Sequence, residues 1–478
     1  MQTDDSASPA TGPRAGSTRR RPSAITGPES RGGLALRLTL SATRGPVCSS
    51  GENVADTSRI PENKAPGGAL AGLRVLDLSR ILAGPWAGQV LGDLGAEVVK
   101  IERPQGPDGE GGDDTRRWGP PYLRDADGRE TDVAAYFLCA NRNKTSVAVD
   151  MATPEGQGVI RALAARADVL IENFKVGGLA RYGLDPATLR ALNPRLIVCS
   201  ITGFGQTGPY AGRAGYDFLI QAMGGLMSIT GAPGDAEGAG PQKAGVAITD
   251  IVTGLYAAIG ILAALTARAR TGEGQHIDLA LLDTQVASLA NQAMNYLTTG
   301  VAPGRLGNAH PNIVPYQDFP TGDGAMILAV GNDGQFARLC GVLGFAEWGT
   351  DPRFATNRAR VENRALLVPL IGAATRQRRT ADWVAALEGV GVPCGPVNTL
   401  AEVFADPQVI ARGLRVDLPH PRAGTVALVR NPLNLSGTPV AYAAPPPALG
   451  EHTDAVLADW LGLDGPALAA LKDAGAIG

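Results

Sequence analysis

Aromatic side chains are scarce: 5 Trp, 9 Tyr and 9 Phe amount to 5% of 478 residues. So few rings argue against a stacking platform for single-stranded nucleic acid. Four histidines (His276, His310, His420, His452) form no HxH or HExxH pattern, and five cysteines (Cys48, Cys139, Cys199, Cys340, Cys394) include no CxxC. Neither a metal site nor a disulfide framework is expected, and the cysteine usage fits a reducing cytoplasm. An excess of one charge is also missing, since 43 basic residues face 46 acidic ones. That balance argues against nucleic acid or a membrane surface as partner. The longest apolar run, Gly254–Ala267, is too short to span a bilayer. An apolar h-region near the start is absent, so no secretory signal is expected.

What is present is core material. Hydrophobic residues reach 44% and charged residues 19%, which suits a folded chain of two or three domains at this length. Residues 1–67 stand apart: they are rich in Ser, Thr, Pro, Gly and Arg, show no period, and hold nine basic against six acidic residues. They read as a disordered N-terminal extension. Asp4 and Asp5 argue against a mitochondrial transit peptide, which avoids acids.

From Leu70 a period emerges. Arg74–Ser79, Glu97–Glu102, Ser146–Met151, Val169–Phe174 and Leu196–Ile201 read as strands. Gly84–Gly95, Pro154–Ala167 and Asp185–Asn193 read as helices between them. This alternation predicts crossover units and a mostly parallel sheet, hence an α/β fold. Ligands of such sheets gather where loops leave the carboxyl ends of strands. That edge holds Ser79–Pro85, Arg103, Asn173–Phe174 and Thr202–Pro209. A long apolar helix over Ile251–Arg270 follows Asp250, then a strand at His276–Leu281 and a helix at Thr284–Leu297. Around Thr299–Pro320 the pattern breaks into Gly, Pro and Asn, as at a crossing between domains. Beyond it Met326–Val330 reads as a strand, and Phe336–Leu343, Ala381–Val390, Val403–Arg412 and Thr453–Leu461 as helices.

Gly203-Phe-Gly-Gln-Thr-Gly208 matches GxGxxG after a strand, but Pro209–Gly215 reads as loop where a dinucleotide fingerprint opens a helix. NAD binding is not expected. A GxSxG elbow is missing, so Ser/His/Asp hydrolysis lacks support.

Leu70-Ala-Gly-Leu-Arg-Val-Leu-Asp-Leu-Ser79, Ala83-Gly-Pro85 and Leu94-Gly-Ala-Glu-Val-Val-Lys-Ile-Glu-Arg103 resemble the class III CoA-transferases, the formyl-CoA and carnitine CoA-transferase family. So do Asn143-Lys-Thr-Ser146, Ala167-Asp-Val-Leu-Ile-Glu-Asn-Phe174, Arg181-Tyr-Gly183, Gly215-Tyr-Asp217, Gly391-Val-Pro-Cys-Gly-Pro396 and Leu449-Gly-Glu-His-Thr-Asp454. The resemblance runs in order over about residues 68–478. It implies a Rossmann-like parallel-sheet large domain (68–300 and 401–478) that binds CoA, a small inserted α/β domain (301–400), and an interlocked homodimer.

It also implies a reaction. CoA passes from an acyl-CoA donor to a free carboxylic acid through an aspartyl anhydride and an aspartyl-CoA thioester. The position matching the family's aspartate is Asp250. A CoA thioester is then a substrate, and no tightly bound cofactor is expected. Exchange between carboxyl groups retains the thioester energy. Asp250 borders a helix start, where the backbone dipoles are expected to favour its ionised form. Read locally, the same residue is an ordinary N-cap. Arg103, Lys144 and Arg181 match positions for the cofactor's phosphates, Asn173 and Phe174 match positions lining its channel, and Tyr216 matches one near the thioester. Gly224–Gly225 and Gly331–Gly334 are candidates for backbone donors to an oxyanion. Leu82 stands where the formyl-CoA subgroup has glutamine, which points away from formyl or oxalyl substrates. Gly307–Tyr316 resembles members acting on dicarboxylic acids such as succinate, and His310 there is a candidate acceptor ligand. The alternatives are an α-methylacyl-CoA racemase on the same fold, which would need a base at Tyr216, and a non-catalytic CoA-binding subunit.

Overall fold

A computed structural model describes residues 68–234 and 238–478; the extension expected at 1–67 lies outside them. Thirteen strands occur among the described residues. The first eight in chain order are β1 Arg74–Asp77, β2 Glu97–Glu102, β3 Tyr122–Arg124, β4 Glu130–Ala134, β5 Lys144–Ala148, β6 Val169–Glu172, β7 Ile197–Thr202 and β8 His276–Ala280. The others are β9 Tyr316–Pro320, β10 Ala325–Ala329, β11 Cys394–Pro396, β12 Arg415–His420 and β13 Gly424–Val429. Six of them form one parallel sheet in the order β5-β2-β1-β6-β7-β8.

A parallel sheet covered on both faces requires strands that are apolar almost throughout. Alternate residues here sort to opposite sides. Leu76, Val99, Leu170 and Val198 enter one core with Ile160, Leu163 and Trp460. Val75, Val98, Ile171 and Ile197 enter the other with Ala87, Leu91, Ala257 and Ile261. This second core brings together the helices Ala83–Asp93 and Ile248–Thr271. They approach at Gly254, where a Cβ would stand 2.6 Å from the Ala83 carbonyl oxygen and 3.0 Å from Trp86 Cβ. Glycine alone permits that spacing.

Strand order decides where the site lies. From β1 the chain moves outward to β2 and β5; from β6 it moves the other way to β7 and β8. The direction reverses between β1 and β6, and open α/β sheets bind ligands in the crevice at such a switch point.

Strands β9–β11 form a separate antiparallel sheet with its own core, including Phe319, Met326, Leu328, Phe336 and Trp383. The C-terminal segment returns to the large sheet. The Asn143 N–H donates to the Ala444 carbonyl at 3.0 Å, the His452 N–H donates to the Ser146 carbonyl at 3.0 Å, and Val149 bridges Ile477.

Some elements depart from expectation. Thr284–Leu297 is not one helix but parts of two, Leu281–Ala287 and Ala290–Thr299, parted where Ala290 takes φ +45°. Val403–Arg412 divides at Asp406-Pro407: proline cannot continue the hydrogen-bond ladder, and the Asp406 carboxylate caps the second helix. The hairpin β12–β13 and the helices Arg364–Thr375 and Gly465–Asp473 are additional to the expected elements. The helix Ile248–Thr271 exceeds the apolar run seen in sequence and is, by length and composition, able to cross a membrane. Here its inner residues Ala257, Ile261 and Ala264 lie in the core.

Candidate active site

The loops leaving β1 and β6 frame a cleft of about 640 Å³. Arg80–Ala83 form one wall, Asn173–Gly178 with Arg181 another, and Arg213–Tyr216 a third. Asp250 is the one carboxylate among the described lining residues, against four cations: Arg80, Lys175, Arg181 and Arg213.

Asp250 is the third residue of the helix Ile248–Thr271, and only 8% of it is exposed. It is not the N-cap. Ala247 holds that position and has no capping side chain. Asp217, from another segment, does the capping instead. Its Oδ1 accepts from the Thr249 N–H at 2.8 Å and the Asp250 N–H at 3.3 Å. Gln221 Nε2 donates to Asp217 Oδ2 at 2.6 Å and fixes it. Thr249 Oγ1 donates to Gln285 Oε1 at 2.6 Å, tying the first turn to the next helix.

This setting reverses the charge expectation. Burial pushes the Asp250 carboxyl up to about 7, and the neighbouring Asp217 adds to the rise. Both effects disfavour the ionised form. The result is a carboxyl group on the cleft wall that changes charge near neutral pH.

The other anticipated residues divide into three groups. Asn173, Phe174, Arg181 and Tyr216 line the cleft with Asp250. Tyr216 is 62% exposed. Asn173 is engaged with the facing loop, its Nδ2 donating to the Arg80 carbonyl at 2.7 Å and its Oδ1 accepting from the Arg80 N–H at 2.9 Å. The Arg181 guanidinium lies 4.5 Å from the Tyr182 ring centre.

Arg103 lines an adjoining cavity of about 480 Å³, joined to the first through shared Arg80 and Phe174. It stands 3.7 Å from Glu110, both side chains being exposed.

Lys144 is elsewhere. Its ammonium is fully buried and spends its three hydrogens on Asp77 Oδ2 (2.9 Å), the Pro85 carbonyl (2.8 Å) and Asn141 Oδ1 (3.0 Å). The expected phosphate contact is replaced by a structural one, and burial brings the amine down to about 8. His310 likewise stays outside the cleft: its ring packs 5.3 Å from Tyr316, and its Nδ1 accepts from the Asn312 N–H. Gly224–Gly225 and Gly331–Gly334 do not line the cleft either.

Three basic lining residues were not singled out in sequence as ligands: Arg80, Lys175 and Arg213. Arg80 falls inside the expected functional edge. Arg213 lies over Phe204 and Tyr210, 5.2 and 4.7 Å from their ring centres, in a loop without a recognisable pattern. Among the described residues no cluster of three His, Cys, Asp or Glu side chains could hold a metal ion.

Fold and cleft together describe an α/β protein whose switch-point crevice is lined by one carboxyl group and four basic side chains. The model of CoA-transferase family III matches residues 70–453. The chain belongs to that family and is a CoA-transferase. It is 55% identical to the succinate–glutarate CoA-transferase of Agrobacterium fabrum over 84% of this chain and 97% of the relative. It is 43% identical to the Homo sapiens succinyl-CoA:glutarate CoA-transferase over 85% of this chain and 90% of the relative. Among solved structures, a CAIB/BAIF family protein from Brucella suis matches with TM-score 0.72 and 54% identity, over 82% of this chain and all of that one.

Proposed function

We propose that this CoA-transferase exchanges CoA between succinyl-CoA and a second dicarboxylic acid of glutarate type, with Asp250 as the covalent carrier. The placement of Asp250 at the wall of an otherwise cationic cleft carries the reading. The activities named for its relatives support the choice of substrates.

The Asp250 carboxylate attacks the thioester carbonyl and expels CoA thiolate, leaving an aspartyl–succinyl anhydride. The thiolate attacks the aspartyl carbonyl, succinate leaves, and Asp250 holds CoA as a thioester. The acceptor carboxylate then displaces the thiolate to form a second mixed anhydride. Attack of the thiolate on the acceptor's carbonyl releases the new acyl-CoA and restores Asp250. Each step exchanges one acyl oxygen or sulfur for another, so the barrier is lowered by holding the partners together rather than by supplying energy. Arg80, Lys175, Arg181 and Arg213 supply positive charge suited to the cofactor's phosphates and an acceptor's distal carboxylate.

The test is chemical trapping. Incubation with succinyl-CoA followed by hydroxylamine or borohydride should modify Asp250, identified by peptide mass. Asp250→Ala should lose at least about 10³-fold in kcat while still binding CoA. Full turnover with an unmodified Asp250 would rule the mechanism out.

The proposal includes a homodimer. On the outer face of the helix that carries Asp250, Leu255, Tyr256 and Ile259 are 42%, 47% and 58% exposed, an apolar strip suited to a second copy.

A further inference from the structure

At the carboxyl end of β1 lies a network of buried charge that the proposed chemistry does not use. Lys100 and Asp113 both have side chains wholly removed from solvent, with Lys100 Nζ 2.9 Å from Asp113 Oδ2. Lys100 also donates to the Ser79 carbonyl at 2.8 Å. Asp113 Oδ1 accepts from the Thr115 N–H at 3.0 Å and the Thr115 hydroxyl at 2.8 Å. The Ile81 N–H is shared between the two Asp113 oxygens at 3.2 and 3.3 Å. The Asp113 N–H in turn donates to Glu102 Oε2 at 2.9 Å, and Arg116 grips Glu102 from the other side.

Ile81 is the recipient of this arrangement. Its φ is +73°, a left-handed conformation that a β-branched residue adopts only when its surroundings impose it. Arg80, beside it, is held as firmly: Asn173 takes both its N–H and its carbonyl, and Asp114 Oδ2 pairs with its guanidinium at 2.9 Å. Arg80, Ile81 and Leu82 are all wall residues of the cleft. A buried ion pair is a poor way to gain stability, because an apolar pair of the same volume generally does as well. Its value here is that it provides a charged acceptor, fixed in space, for one strained amide.

We propose that Asp113, with Lys100 as its counter-ion, is a positioning residue for acyl-CoA: it clamps the Ile81 amide and so presets the Arg80–Leu82 wall against which the thioester arm lies. This rests on the reading of the cleft as the acyl-CoA site. A preset wall acts on the bound cofactor in ground and transition states alike, so its loss raises KM for succinyl-CoA and leaves kcat nearly unchanged.

Two charge-neutral double variants separate positioning from stability. Lys100→Met with Asp113→Leu removes the pair and every acceptor. Lys100→Met with Asp113→Asn removes the charge but keeps a side-chain carbonyl for the Ile81 N–H. The first should raise KM for succinyl-CoA about tenfold with kcat within about threefold, and the second should stay within about twofold of the unaltered enzyme in KM. Thermal melts on both establish that they are comparably folded. If the two behave alike, or if the loss falls on kcat alone, the proposal is overturned. A measurement on the unaltered protein stands beside them: the Ile81 amide should exchange with solvent at least about 100-fold slower than an open loop amide, and unprotected exchange would also overturn it. Failure of the acyl-CoA reading itself would show differently, as an unaltered enzyme that neither binds CoA nor yields an Asp250 adduct.

Discussion

A carboxyl group held near pH 7 changes charge within the working range of the reaction proposed for it. Attack on a thioester requires the ionised form, so transfer should fall as pH drops through about 7, where Asp250 takes up its proton. Asp217 is the second cause of that position. Asp217→Asn keeps an oxygen for the Thr249 and Asp250 amides but removes the charge. It should move the acid limb of the kcat/KM profile toward lower pH, by about one unit or less. An unchanged limb would show that burial alone sets it. The sequence pointed to a residue that lines the cleft, but not to that residue's state. Asp250 was reached through the family resemblance, whereas the group that caps its helix and raises its pKa comes from 33 positions earlier. Lys144 teaches the same lesson: its partner Asp77 lies 67 positions away, and no local pattern announces a buried pair.

Short β-branched runs announce the large sheet, because strands covered on both faces leave few positions for polar residues. Helix breaks were harder to see. Between Ala287 and Ala290 nothing but alanine, leucine and serine marks the interruption, and tertiary packing decides it. The hairpin β12–β13 carries two prolines, Pro419 and Pro421, and two arginines, Arg415 and Arg422, which dilute its alternation. The pair of helices behind Asp250 can be probed through its glycines. At Gly254 a side chain meets the Ala83 backbone, whereas at Gly260 the nearest atoms are Ile277 methyls at 3.6 Å. Gly254→Leu should therefore cost at least about 2 kcal/mol and lower activity, since the displaced helix carries Asp250. Gly260→Ala should be neutral or stabilising by up to about 1 kcal/mol. Thermal or urea unfolding of the two variants makes the comparison.

For the whole molecule the proposed dimer is the first matter. Leu255→Glu with Ile259→Glu places charge on the exposed apolar strip of the helix Ile248–Thr271 and should convert dimer to monomer in size-exclusion chromatography with light scattering. Elution unchanged from that of the parent would place the contact elsewhere. The order of the strands, and with it the switch point, could not be read from spacing alone, because spacing shows that strands alternate with helices and not which neighbour each will choose.

A protein of formal net charge −3 carries its cleft as a local island of the opposite sign. Ionic strength then becomes a control on encounter. Added salt should slow the capture of the anionic cofactor, seen as a falling kcat/KM for succinyl-CoA between roughly 0.01 and 0.15 M, over which the screening distance shortens from about 30 to about 8 Å. Succinyl-pantetheine, which lacks the phosphates and keeps only its one carboxylate, would feel that change far less, and comparing the two would measure how much of the enzyme's speed is attraction at a distance.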